Sequence, residues 1–199
     1  MTFTTDAIVL DYTTYRDYDR IYSAYTRDYG KLNILARGAN KIKSKLAGHM
    51  EPCCHSSLMV AEGRAFHILA QARSITSFAA IRLSADLLYT ALSVLKAVDV
   101  LTHTESGDSR IFYLIGKTLA RLQTSITHEE KKAVWYYYLL NLLIHLGHAP
   151  RVIDVKVLQP LIIADIAKDA ILLTDEARAL IDGYARPVFA DTRMSFDAV

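Results

Sequence analysis

The sequence predicts an α+β protein in which a small all-β barrel over residues 1–78 precedes an α-helical bundle domain over residues 79–199. Before residue 78, apolar residues occur in short runs bounded by turn residues. After it, they recur at the three- and four-residue spacing of amphipathic helices. A hydrophobic content of 52% is enough for a packed core and excludes a disordered chain.

About five strands are expected in the first part. AIVLDY is rich in β-branched residues, KLNILARG follows the tight turn DYGK, and SSLMVAEGRAFHILAQARSI forms two strands around EGR. Between the first two runs the pattern is ambiguous. Its tyrosines are spaced as in a helix, at positions Tyr12, Tyr15, Tyr18, Tyr22, Tyr25 and Tyr29. The tyrosine and isoleucine content favours a loop followed by a strand, which we prefer, and the helix stays open.

Three helices are expected in the middle of the chain. The first covers AAIRLSADLLYTALSVLKAVDVLT, the second SRIFYLIGKTLARLQTSI, and the third THEEKKAVWYYYLLNLLIHLG. Thr127 and Glu130 have the spacing of a capping box at the start of the third helix, which is apolar almost all round and therefore predicted to be central. Later, VKVLQPLIIADI could be strand or helix, and TDEARALIDGYA is predicted to be a short capped helix.

Charge is distributed unevenly. The formal net charge is only +2, yet the segment from Arg27 to His49 holds six cations and one acid. Four of these cations lie within nine residues: Arg37, Lys41, Lys43 and Lys45. A local basic stripe beside a tyrosine-rich segment is typical of a site for single-stranded nucleic acid, because phosphates pair with cations and bases stack on rings. The alternatives, a solvated loop and tyrosines that only pack the barrel, remain open.

Enzyme signatures are weak. GKT at Gly116–Thr118 lies inside a predicted helix, where no phosphate cradle can form, and HEEKK lacks the second histidine of a zinc protease. Acids are not clustered as a metal-dependent nuclease requires. Cys53 and Cys54, next to His49 and His55, are too close together for typical zinc spacing, and we interpret them as small buried thiols. We expect a protein that is not an enzyme and has no cofactor.

A second basic feature lies on the second predicted helix. Arg110, Lys117 and Arg121 fall within about 40° of one another on one helix face. A solvated face is one interpretation. The other is a basic rim beside an apolar groove, formed by Ile111, Ile115, Leu119 and Leu122, that takes an acidic and hydrophobic peptide tail.

The compartment is predicted from what the chain lacks. The opening MTFTTDAIVLDY carries Asp6 and no basic leader, and the longest apolar run is about 15 residues, shorter than the roughly 20 that a membrane helix needs. Two adjacent cysteines offer no disulfide framework. We expect a soluble cytoplasmic protein with no membrane partner.

The first 52 residues resemble the N-terminal region of the bacterial recombination mediator RecO. The shared pattern combines Y-x-x-x-D at Tyr15 and Asp19, T-x-x-x-G-K at Thr26 to Lys31, and A-x-G-A-x-[RK]-x-x-S-[RK]-L-x-G-x-[LM]-x-P from Ala36 to Pro52. LGHAP at Leu146–Pro150 matches a later family motif, so the resemblance covers roughly residues 6–150.

This resemblance implies an OB-fold followed by an α-helical domain. It implies binding of single- and double-stranded DNA, annealing of complementary strands, and help in loading recombinase onto DNA coated by single-strand-binding protein. The implied partners are a RecR-type mediator and the acidic C-terminal tail of the single-strand-binding protein. As DNA-binding residues we predict Arg37, Lys41, Lys43 and Lys45, with Arg16, Arg20, Arg27 and Lys31 as helpers; as partner-binding residues we predict Arg110, Lys117 and Arg121. The alternative is an adaptor that binds acidic peptide tails and contacts DNA only incidentally.

The chain departs from the resemblance after Pro150. Many relatives carry four cysteines there, in two C-x-x-C pairs that hold a structural zinc, whereas no cysteine follows Cys54 in this sequence. We therefore predict that folding does not depend on zinc. Elemental analysis of the purified protein should find no bound zinc, and unfolding curves with and without a chelator should coincide. One tightly held zinc per chain would contradict this.

Overall fold

The fold is α+β, as predicted from the sequence. A computed structural model describes residues 1–124, 127–190 and 192. The strands are β1 (Thr2–Tyr15), β2 (Asp19–Thr26), β3 (Gly30–Ala36), β4 (His55–Ala61) and β5 (His67–Thr76). The helices are α1 (Ala79–Arg82), α2 (Ala85–Leu101), α3 (Ser109–Leu122), α4 (His128–His145), α5 (Val152–Ile163) and α6 (Asp175–Phe189).

The five strands form a closed barrel in the order β1-β2-β3-β5-β4. β1 is long enough to pair with β2 through Ala7–Tyr15 and with β4 through Thr2–Ile8, and a bulge between Val9 and Asp11 marks where it bends. A short parallel contact between β3 and β5 completes the barrel. This five-stranded closure confirms the OB-fold that the resemblance implied.

The tyrosine-rich segment forms the end of β1, a short turn, β2 and the next turn, so the helical alternative was wrong. The strand that we expected is β2, but Tyr12 and Tyr15, which were expected in a loop, belong to β1. Successive side chains of a strand point to opposite faces, so residues three apart lie on different faces. Tyr22 and Tyr25 are nevertheless both fully buried. Tyr22 belongs to the barrel core, while the Tyr25 hydroxyl meets the backbone of Asp108 at 3.3 Å. Because β2 is buried on both faces, its buried tyrosines can lie three positions apart, which is also the spacing expected in a helix.

Residues from Thr102 to Tyr113, which we name the covering segment, pack with the barrel. The chain divides into two compact units, one of Met1–Phe78 with Thr102–Tyr113 and the other of Ala79–Leu101 with Leu114–Val199. The Glu105 N–H donates to the Lys31 carbonyl oxygen at 2.9 Å, and the Phe112 ring lies edge-on to His55. The boundary predicted after residue 78 stays a prediction. The sequence pattern did not indicate that the covering segment would pack with the barrel.

Within the second unit, α4 is the most deeply buried helix, as predicted. Its capping box is present: the Glu130 N–H donates to the Thr127 hydroxyl, and the Thr127 N–H donates to the Glu130 carboxylate at 2.8 Å. The buried ammonium of Lys131 pairs with Asp86 of α2 and, through that hydrogen bond, lowers the pKa of the Asp86 carboxyl. The ambiguous segment after Pro150 forms the helix α5. No helix among the described residues has the length and hydrophobicity to cross a membrane.

Two glycines let the covering segment approach the barrel. Gly30 has a left-handed φ of +69°, and a methyl group there would lie 2.4 Å from the Ser106 carbonyl oxygen and 2.6 Å from the Cα of Gly107. Both neighbours are backbone atoms, which cannot move aside as a flexible side chain would. The turn between β2 and β3 therefore requires glycine for two independent reasons, conformation and space.

Replacing Gly30 by alanine should lower the free energy of unfolding by at least about 2 kcal/mol, since it combines a left-handed alanine with a steric clash. Urea denaturation followed by circular dichroism measures this. Gly48→Ala is the matched control, because a methyl group at Gly48 meets no atom within 4 Å. Equal stability of the two variants would show that the close approach does not exist in solution.

Candidate nucleic-acid interface

The strongest charge feature of the barrel unit is the loop between β3 and β4, residues 37–54, which we name the basic loop. Its four cations, Arg37, Lys41, Lys43 and Lys45, are all exposed. None of them is paired with an acid within residues 1–124 and 127–190. Unpaired cations keep their full charge available to an incoming anion, whereas paired ones would first have to leave a carboxylate.

The basic loop has a fixed shape because apolar residues anchor it at both ends. Ala39 and Met50 are buried in the barrel core, and Leu46 packs against that core. Two successive turns lie between these anchors, formed by hydrogen bonds from the Lys41 N–H to the Gly38 carbonyl oxygen at 3.1 Å and from the Ser44 N–H to the Lys41 carbonyl oxygen at 2.9 Å. The lysines therefore project from an ordered stretch of backbone.

The base of the loop is fastened to the turn between β1 and β2. The Asn40 N–H donates to the Tyr18 carbonyl oxygen at 2.9 Å, and the Gly38 N–H donates to the Asp19 carboxylate at 2.8 Å. The Lys41 ammonium lies 5.3 Å from the centre of the exposed Tyr18 ring. These contacts bring a cation of the basic loop beside an aromatic ring of the neighbouring turn, which is the pairing that single strands require.

Further aromatic rings lie around the same turn. The Tyr15 ring is 6.1 Å from Phe66 and carries the Arg16 guanidinium 5.0 Å above its centre. Phe66 belongs to the turn between β4 and β5, next to the exposed Arg64. The turns after β1 and β4 border the usual ligand surface of an OB-fold. The sequence argument missed Arg64 and Phe66, although the hairpin EGRAF contained the signal of a cation and an aromatic ring in one turn.

Arg20 lies near the interface but is held by internal contacts. Its guanidinium stacks 4.1 Å above the Tyr12 ring, and its Nη1 lies 3.4 Å from both the Tyr22 hydroxyl and the Glu51 carboxylate. It also donates to the Asn40 side chain at 3.3 Å. The hydrogen bond with Tyr22 raises the pKa of Arg20. With its side chain only 16% exposed, Arg20 ties the basic loop to the barrel.

Arg27 and Lys31 lie at the turn between β2 and β3, not on the basic loop. Arg27 pairs with Asp6 at 3.1 Å and with Asp28 at 3.2 Å, and its hydrogen bond to Asp28 raises its pKa. A hydrogen bond from the Thr5 hydroxyl lowers the pKa of Asp28. Lys31 is half-buried, and its carbonyl oxygen accepts from Glu105 of the covering segment. The structure thus separates these two helpers from Arg16, which lies in the turn between β1 and β2 to which the basic loop is fastened, and the DNA contact of all three stays a prediction.

The three cations predicted for partner binding all have acidic neighbours. Arg110 forms a two-pronged pair with Asp108, Lys117 lies 3.4 Å from Asp165, and Arg121 lies 3.7 Å from Glu130. The apolar stripe predicted to line a groove is buried at Ile111, Ile115, Leu119 and Leu122. It therefore belongs to the packed interior, and an acidic peptide would have to compete with carboxylates already in place. The partner-binding role stays a prediction.

The described residues give little support for a metal site or for a reactive cysteine. Cys53 and Cys54 are buried and form no disulfide, in line with the interpretation from the sequence. Over the part of the chain that the structure describes, no three His, Cys, Asp or Glu side chains are grouped as metal ligands. Burial lowers the pKa of His55, so this ring is neutral near pH 7 and supplies no charge to the interface.

Comparison with known proteins agrees with the barrel. A family model described as "Recombination protein O N terminal" matches residues 1–78. A DNA repair protein RecO from Dehalococcoides mccartyi is 33% identical over 148 residues, which cover 74% of this chain. The chain belongs to the RecO family.

Other RecO relatives match over a similar part of the chain. The DNA repair protein RecO of Roseiflexus sp. is 30% identical over 76% of this chain and 52% of its own length. That of Bifidobacterium adolescentis is 31% identical over 73% of this chain and 59% of its own length. For the Dehalococcoides protein the share of its own length is 57%. The chain thus spans between about half and three fifths of the RecO relatives it matches.

The two arginines beside the interface should behave differently when replaced by alanine. Arg20→Ala removes four contacts that tie the basic loop to the barrel, so it should lower the free energy of unfolding by about 1–2 kcal/mol and speed amide exchange over residues 38–52. Arg16→Ala removes an exposed cation and should leave the free energy of unfolding and the amide exchange of residues 38–52 unchanged. Urea denaturation and hydrogen exchange measured by mass spectrometry test this. Similar exchange in both variants would mean that Arg20 does not hold the loop.

Proposed function

We propose that this chain binds DNA and anneals complementary strands in recombinational DNA repair, helping recombinase load onto single-stranded DNA coated by single-strand-binding protein. The observation that carries the proposal is the basic loop, whose four exposed cations pair with no acid in the described part of the chain. One of them, Lys41, lies beside the Tyr18 ring of the neighbouring turn of the OB-fold. Membership of the RecO family, whose members compared above are named DNA repair proteins, supports the same role.

The proposed mechanism is electrostatic. Cations of the basic loop take the place of counterions condensed on the phosphates, and the released counterions supply the free energy of binding. Tyr15, Tyr18 and Phe66 offer ring faces on which bases of a single strand stack without sequence preference. Annealing follows because two strands whose phosphates are neutralised on one surface repel each other less while their bases pair. The proposal needs no bond to be made or broken by the protein, so it describes a protein that is not an enzyme.

The proposed partners follow from the family resemblance. They are single- and double-stranded DNA, a RecR-type mediator, and the acidic C-terminal tail of a single-strand-binding protein, with the nucleoid of a bacterial cytoplasm as the place of action. Arg110, Lys117 and Arg121 remain the proposed contacts for the acidic tail. The alternative function is an adaptor that binds such tails and meets DNA only incidentally. The cations of the basic loop have no acidic partner among the described residues, whereas Arg110, Lys117 and Arg121 each lie beside a carboxylate. This difference favours DNA as the principal ligand.

Changing Lys41, Lys43 and Lys45 together to alanine should weaken single-strand binding, most strongly at low salt. Each phosphate contact contributes about −0.7 to the slope of log affinity against log salt, so the triple variant should flatten the slope by up to about 2 units. Strand annealing should slow in parallel, while thermal stability barely changes, because exposed charges contribute only about 0–1 kcal/mol each. Fluorescence anisotropy over a salt series measures the slope.

The matched control replaces three exposed lysines of the second unit, Lys96, Lys156 and Lys168, so that the net charge changes equally. This control should keep the wild-type slope. An unchanged slope in the Lys41, Lys43 and Lys45 variant, in a chain that still folds, would contradict the DNA role of the loop and favour the adaptor.

A further inference from the structure

The tip of the basic loop carries an apolar side chain that the fold does not use. Ile42 has a relative accessible area of 105%, so its side chain is fully exposed. The other apolar side chains nearby are used differently: Ala39 and Met50 are buried in the barrel core and Leu46 packs against it. Single exposed apolar side chains are common on protein surfaces. Ile42 differs in lying between two exposed lysines, so that an anionic ligand held by these lysines would also cover it.

The backbone holds Ile42 in this outward position. It is the second residue of the turn from Lys41 to Ser44, in which the Ser44 N–H donates to the Lys41 carbonyl oxygen. An earlier turn ends at the same lysine, whose N–H donates to the Gly38 carbonyl oxygen. Gly38, the first residue of the earlier turn, has a left-handed φ of +68°. The first turn is in turn fixed to Tyr18 and Asp19 by the hydrogen bonds described above. Ile42 therefore projects from a stretch of backbone that hydrogen bonds hold in place.

The neighbours of Ile42 identify the chemistry of the ligand. Lys41 and Lys43 flank it directly, and both are exposed and pair with no acid among the residues that the structure describes. A ligand that covers all three must offer an apolar surface between two anionic ones. A DNA duplex offers this arrangement, because the faces of its base pairs lie between two phosphate chains. Aliphatic side chains at such positions enter a groove and wedge between base pairs, which unstacks them and bends the duplex.

We propose that Ile42 is a wedge that inserts between adjacent base pairs of duplex DNA while Lys41 and Lys43 hold the phosphates on either side. This rests on the proposed DNA-binding function and goes beyond it, since binding and annealing of single strands need no intercalating side chain. The wedge gives the chain a further activity, the local unstacking and bending of a duplex next to the strands that it anneals.

The test uses the full chain and a short duplex with one 2-aminopurine, a base whose fluorescence is quenched by stacking. Saturating wild-type protein should raise the fluorescence. Ile42→Ser should bind the duplex with nearly the same affinity, because all four cations remain, yet it should raise the fluorescence much less. Ile42→Leu should restore the signal. Ile153→Ser, which changes another isoleucine that is 80% exposed, is the matched control and should behave as wild type.

The outcomes separate the wedge from the proposed function. An Ile42→Ser variant that raises the fluorescence as much as wild type would overturn the wedge while leaving DNA binding in place, and would assign the exposed isoleucine to a contact with protein or lipid. A wild-type protein that binds single strands but leaves the duplex stacked would overturn it as well. Failure of the wild type to bind any DNA would instead overturn the proposed function.

Discussion

The double pairing of β1 is the constraint on which the rest of the barrel unit depends. One strand of 14 residues forms hydrogen bonds with β2 along one part and with β4 along another, and it can do so only because it bends at the bulge after Val9. With β1 in place, the turns after β1 and β4 border one surface, and the basic loop is fastened by hydrogen bonds to the turn after β1. A straight β1 could not serve both neighbours, and the cations and rings of the interface would no longer share a surface.

The sequence predicted the strands and helices well where local signals were strong. Hairpin turns at DYGK and EGR set the strand count, and the capping box at Thr127 and Glu130 set the start of α4. The tyrosine segment remained ambiguous because burial on both faces of a strand removes the alternation that identifies one. The segment after Pro150 was ambiguous because α5 contains β-branched residues and Pro160, whose helical state depends on packing within the second unit.

Of the candidate site, charge alone could be predicted. A run of lysines is visible in the sequence, but whether each one is free or paired depends on which acids the fold brings close. Arg20 and Arg27 looked equivalent to Arg16 in the sequence, and only the structure shows them held by Glu51, Asp6 and Asp28. The same limit applies to Phe66 and Tyr15, which lie 51 positions apart and meet only because β1 and β5 belong to one barrel.

The covering segment has a consequence for how the barrel is made. Tyr25 and the backbone of Lys31 form hydrogen bonds with Asp108 and Glu105, which the ribosome adds only after α2, 32 and 29 residues beyond the end of β5 at Thr76. At bacterial rates of about 20 residues per second, the nascent barrel spends on the order of a second without this part of its cover. The part of the barrel around the turn between β2 and β3 is thus covered last, and a chaperone or another nascent chain would find it exposed until then.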